Sequence, residues 1–175
     1  MSDAVALVMI GVSGSGKSEV GQEVAKRLGL KFFDADDFHS AANKEKMHRG
    51  IPLTDDDRRD WLKTLHELLR KELEAGESCV LACSALKRVY RERLRAGLKG
   101  VYFFYLKVDH DVVAERLQLR TGHFFAKELL DTQFAILEQP GPDEAFVVDQ
   151  DRPLEEAVRQ ALGYAAQLGL KPVLA

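Results

Sequence analysis

The chain has 175 residues, 46% apolar and 30% charged, with a net charge of −3, and that length can bury about 70% of its unfolded surface in one domain without disulfide or metal support. Its apolar stretches of six to eight residues exclude a membrane-spanning helix, which needs about 20. Interspersed acidic and basic residues argue against a nucleic-acid surface, Asp3 stands where a secretory leader would be positive, and Ser2 breaks the myristoylation pattern, so the expectation is a cytoplasmic protein acting on a small molecule.

The first apolar run, 5–11, predicts a strand. It leads into Gly11-Val12-Ser13-Gly14-Ser15-Gly16-Lys17-Ser18, a complete G-x-x-x-x-G-K-S phosphate loop. Its glycines let backbone N–H groups converge on phosphate oxygens at a helix N-terminus, Lys17 is placed to reach the β- and γ-phosphates, and Ser18 supplies a hydroxyl for Mg²⁺. Val20, Val24 and Leu28 give the helical period that follows, and Gly29 is its expected C-terminal cap. A second run, 31–34, precedes a long helical stretch. There Thr54 and Asp57 form a candidate capping box, and Trp61, Leu65, Leu68, Leu69 and Leu73 form an apolar stripe ending at Gly76.

Runs 78–83, 101–108 and 145–148 alternate with helical patterns marked by Leu86, Tyr90 and Leu94, by Val112, Val113, Arg116 and Leu117, by Leu130, Phe134 and Leu137, and by Leu154 to Leu168. The alternation predicts α/β architecture with a parallel sheet covered on both faces, and Pro140-Gly141-Pro142 is its one strong breaker. Cys79 and Cys83 are the only cysteines. Four residues apart on a strand they lie about 13 Å from each other, beyond the roughly 7 Å reach of a disulfide, and no zinc-spaced partners accompany them. Both are expected to be buried reduced thiols.

Ligands of open parallel sheets sit beyond the carboxyl ends of the strands, where this chain carries Asp34, Asp36, Ser84, Lys87, Asp109 and Asp149. The only Asn-Lys pair, Asn43-Lys44, comes early and lacks the Asp of a guanine reader. Asp109 and Asp149 are expected to cap the helices after them, the alternative being acids that hold Mg²⁺. Asp34 and Asp36, two apart on a chain leaving a strand, project to one side. One is placed to hold the water shell of Mg²⁺ and the other to take the proton of an attacking hydroxyl, unless they form a merely solvated turn. Arg116 and Arg120 precede Thr121-Gly122-His123-Phe124-Phe125 and predict a lid over about 116–128. Its closure would carry a guanidinium to the γ-phosphate; the alternative is two solvated arginines near a helix C-terminus.

Taken together, the phosphate loop, Phe33-Asp34-Ala35-Asp36-Asp37-Phe38-His39, Asn43 with Lys46-Met47, Gly50 to Arg58 with Trp61-Leu62, Cys83 to Lys87 with Tyr90-Arg91, Gly122 to Phe125, and Gln133-Phe134 with Leu137-Glu138 resemble the gluconokinase family over essentially the whole chain. The resemblance implies a single phosphate-loop kinase domain over 1–175, with a five-stranded parallel sheet ordered 2-3-1-4-5 between two helical layers, a substrate-side helical segment at about 38–75, and a homodimer. It implies ATP-dependent phosphorylation of D-gluconate at its 6-hydroxyl, with Mg²⁺, feeding the pentose phosphate route. By analogy with shikimate kinase, Asp34 would serve the metal alongside Ser18. Asp36 would be the base, with Lys17 and Arg120 as the other catalytic groups and Arg116 on the nucleotide.

A sugar acid needs a cation for its carboxylate and polar groups for its hydroxyls. Arg58 and Lys87 are the candidates for the first, and His39, His123 and Gln133 for the second. Arg58 could instead pair with the nearby aspartates, and Lys87 could be solvated. Many relatives have other residues at Glu19, Ser40, Thr54 and Asp60; Ser40 and Asp60 predict a looser substrate-side segment. Two other functions share the phosphate machinery: a kinase of another polyol or shikimate-like acid, and a nucleotide-binding regulatory protein without turnover.

Overall fold

The computed structural model describes residues 3–119 and 127–173. Their strands are β1 (Ala6–Ile10), β2 (Lys31–Asp34), β3 (Cys79–Ala82), β4 (Val101–Lys107) and β5 (Ala145–Asp149), and their helices are α1 (Lys17–Leu28), α2 (Ala41–His48), α3 (Asp55–Glu74), α4 (Arg88–Arg95), α5 (His110–Leu119), α6 (Lys127–Ile136) and α7 (Leu154–Gln167). The sheet order is β2-β3-β1-β4-β5, and all four pairings are parallel. Each strand lies within a residue of its apolar run.

Alternation along β1 divides the core. Ala6, Val8 and Ile10 pack with Trp61, Leu65, Leu69, Tyr90 and Leu94 from α3 and α4, while Leu7 and Met9 pack with Val20, Val24, Ala157 and Ala161 from α1 and α7. Every β1 residue is buried, and full burial of each large apolar side chain contributes about 1.5–3 kcal/mol. A third cluster at the carboxyl end joins Val12 of the phosphate loop to Leu86, Val108, Val113 and Leu130, seating α5 and α6 against the nucleotide end of the sheet. Among the described residues no helix is long and apolar enough to cross a membrane.

Local chemistry sets the helix ends. At the end of α1, Gly29 is left-handed, Leu30 N–H donates to the Ala25 carbonyl and Gly29 N–H to that of Lys26, the double bond of a Schellman cap. The capping box at α3 is complete: Thr54 Oγ1 accepts from Asp57 N–H, and Asp57 Oδ2 from Thr54 N–H. Both cysteines are buried and free, and burial pushes each thiol up to about 12, so they are inert thiols.

Two expectations need correction. Helix α2 carries no apolar stripe to announce it; its signal is Ser40, whose Oγ accepts from Asn43 N–H at 3.1 Å, so Ser40 caps this segment instead of loosening it. Asp149 does not cap α7, whose N-cap is Pro153; Asp149 lies within β5, and its N–H donates to Gln160 Oε1. Asp109 does precede α5 directly, its carbonyl taking the Val113 N–H.

Candidate active site

The phosphate loop turns at Gly16, the N-cap of α1, with φ 88°. A Cβ there would stand 2.1 Å from Gln150 Nε2, and that nitrogen donates to the Ser15 carbonyl. Glycine is therefore required twice, for the left-handed backbone and for the close approach of Gln150. A second glutamine braces the other arm of the loop. Gln133 Oε1 accepts from Ser13 N–H at 2.6 Å, and its Nε2 donates to Ser13 Oγ at 2.9 Å.

Asp34 and Asp36 meet the loop, but not through strand alternation. Asp34 is the N-cap of a 3-10 turn, Ala35–Phe38. Its Oδ1 accepts from Asp36 N–H at 3.0 Å, and its Oδ2 accepts from Ser18 Oγ at 3.1 Å. The turn sends the Asp36 side chain elsewhere, into a cavity that it lines with Lys17. Burial raises the Asp36 pKa; Lys17 opposes the shift, and Asp34 and Asp37 add to it. A carboxylate shifted in this direction is a better proton acceptor.

That cavity has a volume of about 540 Å³, and Ser13, Lys17, Asp36, His39, Arg58, Lys87 and Gln133 all line it. Seven of the site residues expected from sequence thus meet in one space. Arg58 and Lys87 converge on Tyr90, their charges 5.3 and 5.6 Å from its ring centroid, within cation–π range. Arg58 Nη1 donates to the Leu53 carbonyl and to Tyr90 Oη. Lys87 Nζ donates to Asp55 Oδ1 at 3.1 Å, and the Tyr90 hydroxyl donates to the same oxygen. These bonds hold the Asp55 carboxyl below its usual range, the Tyr90 contact most. Asp55 is therefore the internal counter-ion of Lys87.

His39 is stacked on Trp61 with ring centroids 4.1 Å apart. Burial, Arg58 and Lys44 lower its pKa to about 4, so its ring is neutral at pH 7. Gln133 lines the cavity, and each end of its carboxamide makes one bond to Ser13, so it bridges α6 to the phosphate loop. Arg116 donates from Nη2 to the Gln150 carbonyl, which sets it beside the outer brace of the loop. Arg120, His123 and most of the expected lid lie outside the described residues.

Several residues that shape the site carried no sequence signal of that role. Gln150 and Gln133 are isolated amides that matter only because of what they face. Tyr90 belongs to an apolar stripe and is buried, but its hydroxyl reaches the cation pair. Arg91 is almost fully buried, pairs with Glu144 at 2.6 Å, and donates to the carbonyls of Ala85, Leu86 and Glu138. It clamps the loop that delivers Ser84 and Lys87, in which Ala85 has φ 42°, a strained left-handed conformation for alanine.

The AAA domain family profile matches residues 7–140. The thermoresistant gluconokinase of Escherichia coli is 46% identical, the match covering 89% of this chain and 90% of that protein. The gluconokinase of Gluconobacter oxydans is also 46% identical, over 87% of this chain and 89% of its own. The chain belongs to the gluconokinase family. A solved gluconokinase from Sinorhizobium meliloti superposes with a TM-score of 0.85 at 44% identity, covering 96% of this chain and 95% of that one. Shikimate kinase from Aquifex aeolicus shares the fold alone, with a TM-score of 0.60 at 18% identity over 94% of this chain and 98% of its own. The five-stranded parallel sheet ordered 2-3-1-4-5 is thus a phosphate-loop kinase fold.

Proposed function

We propose that this protein transfers the γ-phosphoryl group of ATP to the 6-hydroxyl of D-gluconate, giving 6-phospho-D-gluconate and ADP for the pentose phosphate route. The observation that carries this function is the single cavity in which Lys17 and Asp36 share space with Arg58 and Lys87. Phosphoryl chemistry and carboxylate recognition need one chamber, because the acid must be held while its far hydroxyl reacts.

The residues divide the work by their chemistry. Backbone N–H groups of residues 11–18, with Lys17, hold the β- and γ-phosphates. Asp36 accepts the 6-hydroxyl proton as that oxygen bonds to the γ-phosphorus and the bond to the β-phosphate oxygen breaks. Arg58 and Lys87 hold the carboxylate, Lys87 yielding part of its bond with Asp55. His39 donates to a substrate hydroxyl. Arg116 and Arg120 meet the nucleotide, and His123 is a further hydroxyl contact on a lid over 116–128.

The Ser18 hydroxyl and the Asp34 carboxylate, already in contact, are hard oxygen donors of the kind Mg²⁺ accepts, Asp34 acting through water. Among the described residues no group of three His, Cys, Asp or Glu could hold a metal alone, which fits an ion that arrives with the nucleotide. When bound, Mg²⁺ neutralises charge developing on the phosphates. In this proposal the enzyme is one domain working in the cytoplasm as a homodimer, with no nucleic-acid or membrane partner; sedimentation equilibrium tests the dimer.

A coupled ADP-release assay with gluconate, shikimate, other sugar acids and nucleoside monophosphates tests the function. Turnover with gluconate well above the rest is expected. Turnover with none of them, in folded protein that binds ATP, would refute it.

A further inference from the structure

Asn43 is buried, and its Nδ2 has two hydrogens to place. One goes to the backbone carbonyl of Asp57 at 2.7 Å. A carbonyl only accepts, so this bond fixes which end of the amide is nitrogen. The other hydrogen faces His39 Nδ1 at 3.3 Å. Since Nδ2 only donates, Nδ1 must offer a lone pair, and in a neutral imidazole the proton then resides on Nε2.

The surroundings hold the ring in that state. Trp61 lies against it with only 13° between the planes, and Trp61 is itself anchored by Nε1 donating to the Ala35 carbonyl at 2.7 Å. The charged groups acting on the ring are Arg58 on α3 and Lys44 on α2, both of which oppose a second proton. An imidazolium would also turn Nδ1–H against the Asn43 N–H. His39 lines the cavity, and with Nδ1 turned to Asn43 the ring nitrogen left to serve that space is Nε2.

We propose that Asn43 is a positioning residue that makes His39 a neutral, one-way donor, presenting Nε2–H to a hydroxyl oxygen of the sugar acid. The division of labour in the cavity follows from it. Asp36 takes a proton, His39 only gives a hydrogen bond, and a polyol that needs both is aligned without a third cation near Arg58 and Lys87. The proposal rests on the gluconate function above, and the two can fail separately.

The test pairs a spectroscopic readout with kinetics. In ¹⁵N-labelled protein at pH 7, with His39 assigned from the His39→Gln spectrum, Nε2 should resonate as protonated and Nδ1 as unprotonated. Asn43→Asp places an acceptor opposite Nδ1 and should move the proton there. Gluconate kcat/KM should then fall about tenfold, the scale of one lost hydrogen bond, with the KM for ATP unchanged. A glutamine side chain offers an N–H donor independent of any tautomer, so Asn43→Asp should cost almost nothing more on the His39→Gln background.

A wild-type ring protonated on Nδ1 overturns the proposal, as does an equal cost of Asn43→Asp on both backgrounds, which would mark Asn43 as structural only. If the Asp variant does not fold, Asn43→Ala should show mixed tautomers, and an unmixed Nε2–H ring there would overturn it too. The expected tautomer combined with an unchanged gluconate KM in His39→Ala would remove the substrate contact and the role with it, while leaving gluconate phosphorylation intact. Absence of gluconate turnover in the wild type would strike the function and not the tautomer.

Discussion

Replacing Asp36 with asparagine keeps the shape of the side chain and removes its ability to accept a proton. The backbone changes little, because the Asp36 N–H bond to Asp34 Oδ1 and the Asp34 contact with Ser18 do not involve the Asp36 side chain. The phosphate loop should therefore bind ATP as before. Stability should be unchanged or higher: burial raises the Asp36 pKa, so its ionised form costs the fold free energy at pH 7, and the neutral amide removes that cost. Loss of a positioned general base lowers kcat by about 10²-fold or more, equivalent to about 2.7 kcal/mol of barrier. Coupled ADP release measures kcat, calorimetry measures ATP affinity, and a melt measures stability. The acid limb of wild-type kcat/KM should lie above the ordinary aspartate value and vanish in the variant. A variant that turns over at the wild-type rate would remove Asp36 from the proton path.

Further outcomes follow from single contacts. Gly16→Ala forces a non-glycine residue to φ 88° and drives Gln150 off the Ser15 carbonyl; ATP affinity should fall at least about tenfold, and calorimetry with normal affinity would contradict the double requirement for glycine. Ser40→Ala removes the α2 cap, worth about 1 kcal/mol, so Tm should drop by about 2–4 °C. His110 Nε2 meets Asp131 at 2.5 Å across α5 and α6, and its hydrogen bonds to Asp131 and then Asp111 raise its pKa above 6.5. A raised folded value means the contribution is full below the unfolded pKa and disappears as pH climbs through the folded one; His110→Gln should lower Tm more at pH 5.5 than at pH 9, and a pH-independent difference would refute it. Gln133→Leu loses both bonds to Ser13 and should raise the KM for ATP several-fold with little change in Tm, measured by initial rates and a melt.

The chain by itself determined the strands, the phosphate loop and the α1 and α3 caps. Each depends on residues close in sequence: a period of two or 3.6, a glycine where the backbone must turn left, a Thr three residues before an Asp. Only the tertiary structure decided how Asp34 and Asp36 divide, because a 3-10 turn replaced the expected extended chain and turned their carboxylates to different neighbours. It also decided that Gln133 reaches Ser13 across 120 positions of sequence, that Gln150 braces Ser15, that Tyr90 gathers Arg58 and Lys87, and that Asn43 faces His39 Nδ1. An isolated amide or phenol has no periodicity and no local partner, so its role depends on which elements the sheet brings beside it. Packing of α2, α3, α4 and α6 around the carboxyl end of β1 supplies those neighbours.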